Sequence, residues 1–213
     1  MRIEELSIRS SFDQIEKAAQ LEADILLDEV KNGNLPTIDL HLPKFAERIS
    51  RLRETGLLQH VTGTRLDKIV DEFDDPFKTT FIASVEDRVV GIGRVRIRPE
   101  LDTAVLYGFN IDKTHRGTQA GLSLLEQCVN LISEYAEKHD KKMKVRINRY
   151  SMTERKKPAI TLMTRRLNKA YGQDTVTVEN DDWEGQPFMK FTTDFQTFAA
   201  LVDRYGDTLP EFL

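Results

Sequence analysis

Near residue 111 the chain passes from a strand pattern into a helical one with only a short turn between them, and this junction limits the fold more than any other stretch. Ala104 to Ile111 is an extended, largely apolar run, whereas from about Gly117 to Lys138 the residues Leu122, Leu125, Val129 and Ile132 recur at helical spacing. The turn between them is Asp112-Lys113-Thr114-His115-Arg116-Gly117-Thr118-Gln119-Ala120-Gly121. A helix that starts directly after a strand leaves its first amides unpaired and pointing outward, at the positive end of the helix dipole. Such a terminus suits an anion, and small residues let a phosphate approach the backbone. On these residues alone, a phosphate cradle and an ordinary close-packed helix start both fit.

The flanking pattern narrows the architecture. Ile3 to Ile8 reads as a short strand. Ser11 or Asp13 can cap a helix whose inward residues are Ile15, Ala18, Ala19, Ala23, Leu26, Leu27 and Val30. Leu42-Pro43 opens a second helix to about Glu54, and Leu66 to Phe73 is a third, shorter one ended by Asp74-Asp75-Pro76. The texture then becomes β-rich. Thr79 to Val85 and Arg88 to Arg98 flank a tight turn at Glu86-Asp87, and Arg94, Arg96 and Arg98 alternate so that they share one face. After the long helix come a strand over Met143 to Asn148 and a helix opened by Pro158. A strand pair follows over Val176 to Glu179 and Phe188 to Thr192, then a last helix capped by Asp194. This order predicts an α/β fold of the α+β kind, a mixed sheet flanked by helices, and not a repeating βαβ series.

A chain of 213 residues with 39% hydrophobic and 31% charged residues can form one substantial core. No apolar run reaches the roughly 18 residues a membrane span needs, and acids follow Met1-Arg2-Ile3 where a signal peptide needs an apolar stretch. We therefore expect a cytoplasmic protein with no membrane contact. Cys128, the single cysteine, sits among Leu124, Leu125, Val129 and Ile132 and reads as a buried small hydrophobe. His41, His60 and His139 are scattered and suggest no metal site. The net charge of −4 is segregated: residues 138–169 hold 12 basic and 2 acidic side chains, while residues 170–213 hold 2 basic and 9 acidic. A basic block in an acidic chain fits an anionic partner, or equally a solvated face neutralised by the acidic tail.

The turn and its context resemble the GNAT superfamily of acetyl-CoA-dependent N-acyltransferases. Ile111 matches the apolar position that ends the family's central strand, Arg116 the first residue of its phosphate-binding turn and Gly121 the last. Val89-Val90-Gly91-Ile92-Gly93 looks like the preceding strand, Ala159-Ile160-Thr161-Leu162 like the second family helix, and Phe188-Met189-Lys190-Phe191 like the final strand. The resemblance covers roughly residues 78–193. It implies a mostly antiparallel central sheet in a single domain over 1–213. A mainly helical part would span 1–75, an acetyl-CoA-binding core 76–193, and a C-terminal helix and tail 194–213. It also implies that Arg116, Gly117, Thr118, Gln119, Ala120 and Gly121 hold the pyrophosphate of acetyl-CoA, with Phe109, Asn110 and Ile111 along the pantetheine arm.

Two departures bear on chemistry. Gln119 stands where the family has a glycine, and Met163 where many members carry a tyrosine that protonates the departing thiolate; a thioether cannot donate a proton. Tyr150 and Tyr171 are the candidate replacement acids and Asp112 a candidate base. The expected activity is transfer of an acetyl group to a primary amine. Two alternatives stand beside it: a catalytically silent binding protein of the same fold, and an enzyme acting on aminoacyl-tRNA or another RNA-linked amine. The Lys142–Lys169 segment favours an anionic acceptor, RNA or an acidic protein, and the long N-terminal part is a candidate cap or homodimer contact.

Overall fold

The computed structural model describes residues 1–7, 9–31, 57–116, 118–150, 165, 168–169, 176–183 and 186–205. In chain order these form β1 (Arg2–Leu6), α1 (Phe12–Lys31), α2 (Leu57–Glu72), β2 (Lys78–Val85), β3 (Arg88–Arg98) and β4 (Thr103–Ile111). Next come α3 (Gln119–Lys138), β5 (Lys144–Tyr150), β6 (Thr177–Trp183), β7 (Gln186–Asp194) and α4 (Phe195–Tyr205). The strands make one seven-stranded sheet in the order β1-β2-β3-β4-β5-β7-β6. Every neighbouring pair is antiparallel except β4 and β5. This is the mixed sheet that the order of elements predicts, and the mostly antiparallel one that the family resemblance implies.

Local chemistry sets most of the boundaries. Ser11 and Gln14 cap α1 reciprocally: Ser11 Oγ accepts from the Gln14 amide at 3.2 Å, and Gln14 Oε1 accepts from the Ser11 amide at 3.2 Å. Glu86 takes up a left-handed φ of 55° to close the β2–β3 hairpin. Asp194 caps α4, accepting from the Thr197 amide at 2.9 Å and from its hydroxyl at 2.6 Å. The expected third helix is longer than its apolar pattern, starting at Leu57 and not Leu66. Thr62, Gly63 and Thr64 are poor helix formers, and they obscure its first half in sequence. Tertiary contact with α1 overrides that propensity; Thr62 Oγ1, for example, donates to Gln20 Oε1 at 3.2 Å. The expected helix over Leu42 to Glu54 lies outside the described residues, and so does most of the one opened by Pro158, of which Arg165, Asn168 and Lys169 are helical.

Strand alternation sends side chains to two differently built faces. On one face α3 and α4 pack Leu124, Leu125, Cys128, Ile132, Phe198 and Leu201 against Val90, Val95, Ala104, Leu106, Val145 and Ile147. On the other, α1 and α2 lay Ile15, Ala18, Ala19, Leu21 and Ile69 over Leu6, Ile82, Val89 and Ile92. Cys128 is fully buried in the first core, where burial pushes its thiol pKa up, so it acts as the small hydrophobe expected. Among the described residues, no helix is long and apolar enough to cross a membrane.

Candidate cofactor and active site

The parallel pair β4 and β5 is where the sheet opens. They are paired over only four positions, from Thr103↔Lys144 to Leu106↔Ile147. Among the described residues, β4 continues beyond Leu106 to Ile111 against β3 alone, while β5 continues to Tyr150 against β7 alone. Two strand edges therefore face each other across a notch, with backbone donors and acceptors unclaimed by a ladder. The notch lies at the carboxyl ends of both strands, the usual ligand-binding end of parallel strands, and the chain leaving β4 carries the turn into α3. Burial follows the parting: Thr103 to Leu106 are buried, whereas Tyr107, Gly108, Phe109 and Asn110 are partly or fully exposed.

A β-bulge shapes the free half of β4. The register moves from Arg94↔Tyr107 to Ile92↔Asn110, so Gly108 and Phe109 together oppose Gly93. Gly108 sits at φ 61°, a conformation that favours glycine. Phe109 folds back over Gly93, where a Cβ would come within 2.8 Å of the ring. An isolated glycine within a strand pattern, as in Tyr107-Gly108-Phe109, is the sequence signal for such a bulge.

The turn at the head of the notch is tightly braced. Asp112 Oδ1 accepts from the Thr114 amide at 2.8 Å and from the Thr114 hydroxyl at 2.6 Å, and Arg88 Nη2 donates to Asp112 Oδ2 at 2.5 Å. The Thr114 hydrogen bonds, aided by the Arg88 charge, hold the Asp112 carboxyl below the usual carboxylate range. The expected start of the long helix at Gly117 moves to Gln119, because Thr118 is extended and serves as the cap. Its hydroxyl donates to the His115 carbonyl at 2.6 Å and accepts from the Ala120 amide at 3.4 Å. Arg116 Nε donates to the Ile111 carbonyl at 3.3 Å, and the residue is otherwise exposed. Thr118 and Gln119 are exposed, and Ala120 and Gly121 are buried against the sheet.

The structure thus gathers Phe109, Asn110, Ile111, Arg116, Thr118, Gln119, Ala120 and Gly121 along one edge of the notch. Gly117, Tyr171, Met163 and the basic loop Arg155–Lys157 lie outside the described residues, and of Tyr150 only the backbone, at the end of β5, is described. Among the described residues no group of three histidine, cysteine, aspartate or glutamate side chains could hold a metal.

Sequence reasoning missed a second feature, a buried ionic network on the α1/α2 face of the notch. Arg94, 1% exposed, donates from Nη1 and Nη2 to the two Glu22 carboxylate oxygens at 2.6 and 3.0 Å, and from Nε to Glu72 at 2.7 Å. Asn110 Nδ2 donates to Glu22 Oε1 at 3.0 Å. Burial works against ionisation of Glu22, but the charge and hydrogen bonds of Arg94 outweigh it and hold the carboxyl below its ordinary value. Tyr107 lies beside this network; its buried hydroxyl has no hydrogen-bond partner among the described residues, and burial, with the Glu72 charge behind it, raises its pKa. The alternating arginines were legible as one face of β3. That α1 and α2 cover that face with two carboxylates was not.

A family profile described as "Acetyltransferase (GNAT) family" matches residues 47–152. No curated protein sequence matches the chain. Among solved structures, it is similar to the PaiA N-acetyltransferase of Thermoplasma acidophilum in complex with coenzyme A, with 12% identity and a TM-score of 0.53 over 89% of this chain and 98% of that one. It is also similar to an aminoglycoside 6'-acetyltransferase type Ii, with 10% identity and a TM-score of 0.51 over 92% of this chain and 97% of that one. These identities speak for a shared fold only. Sheet order, parted strands, braced turn and family profile agree: the chain is a divergent member of the GNAT superfamily.

Proposed function

We propose that the protein is an acetyl-CoA-dependent N-acetyltransferase that acts on a primary amine. The observation that carries this reading is the notch between β4 and β5 with the uncovered start of α3 at its head. The first-turn amides of α3, with Arg116 beside them, suit a pyrophosphate. The unpaired edge of β4 suits a thin, amide-bearing arm such as pantetheine, which can pair with strand backbone. A backbone amide near the bulge would polarise the thioester carbonyl. The amine nitrogen would bond to that carbon and give up one proton, the carbon–sulfur bond would break, and the departing thiolate would take a proton.

For that proton the reading keeps Tyr150, because β5 ends at it on the far side of the notch, and Tyr171 as its alternative. Asp112 fits a bracing role better than a base: it is held ionised by Thr114 and Arg88, and a depressed pKa makes it a poor proton acceptor. The engaged Asp112 also favours a second reading, a member that binds the cofactor without turning it over. An anionic acceptor gains support from Lys144 and Arg146, which lie on the same face as Arg96 and Arg98 across β4.

Calorimetric titration with acetyl-CoA tests the binding step. Micromolar affinity that Arg116→Glu weakens at least tenfold is expected, since a phosphate at the helix start must feel the reversed charge. Absence of heat at millimolar acetyl-CoA would remove both readings. Thiol release across a panel of amines then separates enzyme from silent binder. RNA binding that falls steeply with salt would add the RNA-linked acceptor.

A further inference from the structure

The bulge in β4 is held from both sides of the sheet. On the α3 face the Phe109 ring covers Gly93. On the α1/α2 face the Arg94 guanidinium lies directly against Gly108, so close that a Cβ there would fall 2.8 Å from Nη1. The same guanidinium is fastened to Glu22 of α1 and to Glu72, the last residue of α2. Glu22 in turn accepts from Asn110, on the other side of the bulge, and Asn110 Nδ2 also reaches the Gly108 carbonyl at 3.4 Å. One planar cation with two carboxylates thus fixes both ends of the segment Gly108–Asn110 and ties them to both helices on that face. A lysine could supply the charge but not the fork, because an ammonium cannot offer fixed, diverging donors to two carboxylates in one plane.

We propose that Arg94 is a positioning residue for the acetyl group: it holds the Gly108–Asn110 backbone in the one arrangement that presents the free edge of β4 to the thioester carbonyl. This rests on the acetyl-CoA reading. Arg94 touches no part of the cofactor; it acts through Gly108 and, by way of Glu22, through Asn110. Loosening it lets the bulge relax, while the turn from Asp112 to Gly121, braced separately by Thr114 and Arg88, keeps its hold on the pyrophosphate.

The test compares acetyl-CoA with free CoA, which differ only at the group in question, on wild type and Arg94→Lys. Calorimetry is expected to show acetyl-CoA affinity falling at least fivefold more than CoA affinity in the variant, since both ligands share the pantetheine arm and only one carries the acetyl group. Amide exchange in the ligand-free protein is expected to rise at least tenfold across Gly108–Ile111, with Ala104–Leu106 unchanged. Equal losses for both ligands, or an unchanged ratio in a folded variant, would overturn the proposal. Unchanged exchange at the bulge would do so as well. If neither ligand binds wild type, the acetyl-CoA reading falls and this role with it, while the exchange arm still reports whether Arg94 holds the bulge. Should Arg94→Lys fail to fold, Asn110→Ala severs the same link from a partly exposed position and is expected to shift the acetyl-CoA to CoA ratio in the same direction.

Discussion

The two faces of the sheet solve the same packing problem by opposite means. Under α3 and α4 the described interface is mostly hydrocarbon and sulfur, from Leu124 and Ile132 to Phe198 and Val202. Under α1 and α2 a smaller apolar cluster shares its face with Arg94, Glu22 and Glu72, all nearly inaccessible. Hydrocarbon contacts are non-directional, and they stabilise any arrangement that excludes water. A buried ion network is directional, and it adds little over well-packed apolar residues because desolvation offsets the attraction. The α3/α4 face therefore supplies most of the stability, and the α1/α2 face fixes geometry next to the notch.

The sharpest way to break this comparison is to treat both faces alike. Arg94→Met leaves two carboxylates buried without their cation and is expected to cost about 3–5 kcal/mol in urea unfolding. Replacing the trio together, as Glu22→Leu, Arg94→Met and Glu72→Leu, is expected to restore most of that loss. A triple variant as weak as the single one would show that the network itself carries the fold. On the other face Leu124→Ala should cost about 2–5 kcal/mol. Gly91→Ala would refill only part of the space, because its Cβ, freed of the Leu124 Cδ1 it would meet at 2.9 Å, still falls 3.0 Å from Ile111 Cδ1.

Acid separates the faces next. The Glu22 pKa is lowered in the folded chain, so its contribution is complete above the unfolded value, near 4.5, and is lost as pH falls through the depressed folded value. Asp112 and Asp194 shift in the same direction. Wild type should lose urea stability from pH 6 to pH 3 more steeply than the triple apolar variant, which keeps only the latter two. Parallel curves would mean that the network does not stabilise its own ionisation.

The same contrast explains how much of the fold and the site is legible in the residues alone. Ala104–Ile111 followed by Leu122, Leu125, Val129 and Ile132 is periodic, and that periodicity marks the strand, the helix and the turn between them. Arg94 reads in sequence only as one of three alternating arginines. Its partners, Glu22 and Glu72, lie 72 and 22 residues away, and no local pattern marks them. The first half of α2 is hidden by Thr62, Gly63 and Thr64, because its stability comes from α1 and not from its own propensity. The parting of β4 from β5 is equally silent, since pairing across a crossover leaves no mark at either strand. Gly108 is the one legible sign of the bulge.

The smallest expected effect has the opposite sign. The Tyr107 hydroxyl is buried with no hydrogen-bond partner among the described residues, and leaving such a group unsatisfied costs about 1–3 kcal/mol. Tyr107→Phe should therefore raise the urea midpoint by an amount worth about 1 kcal/mol, even though it deletes an atom from a packed interior. A phenylalanine would serve the interior better than the residue found there. Beside the parting strands, Tyr107 carries an oxygen that none of the described residues uses.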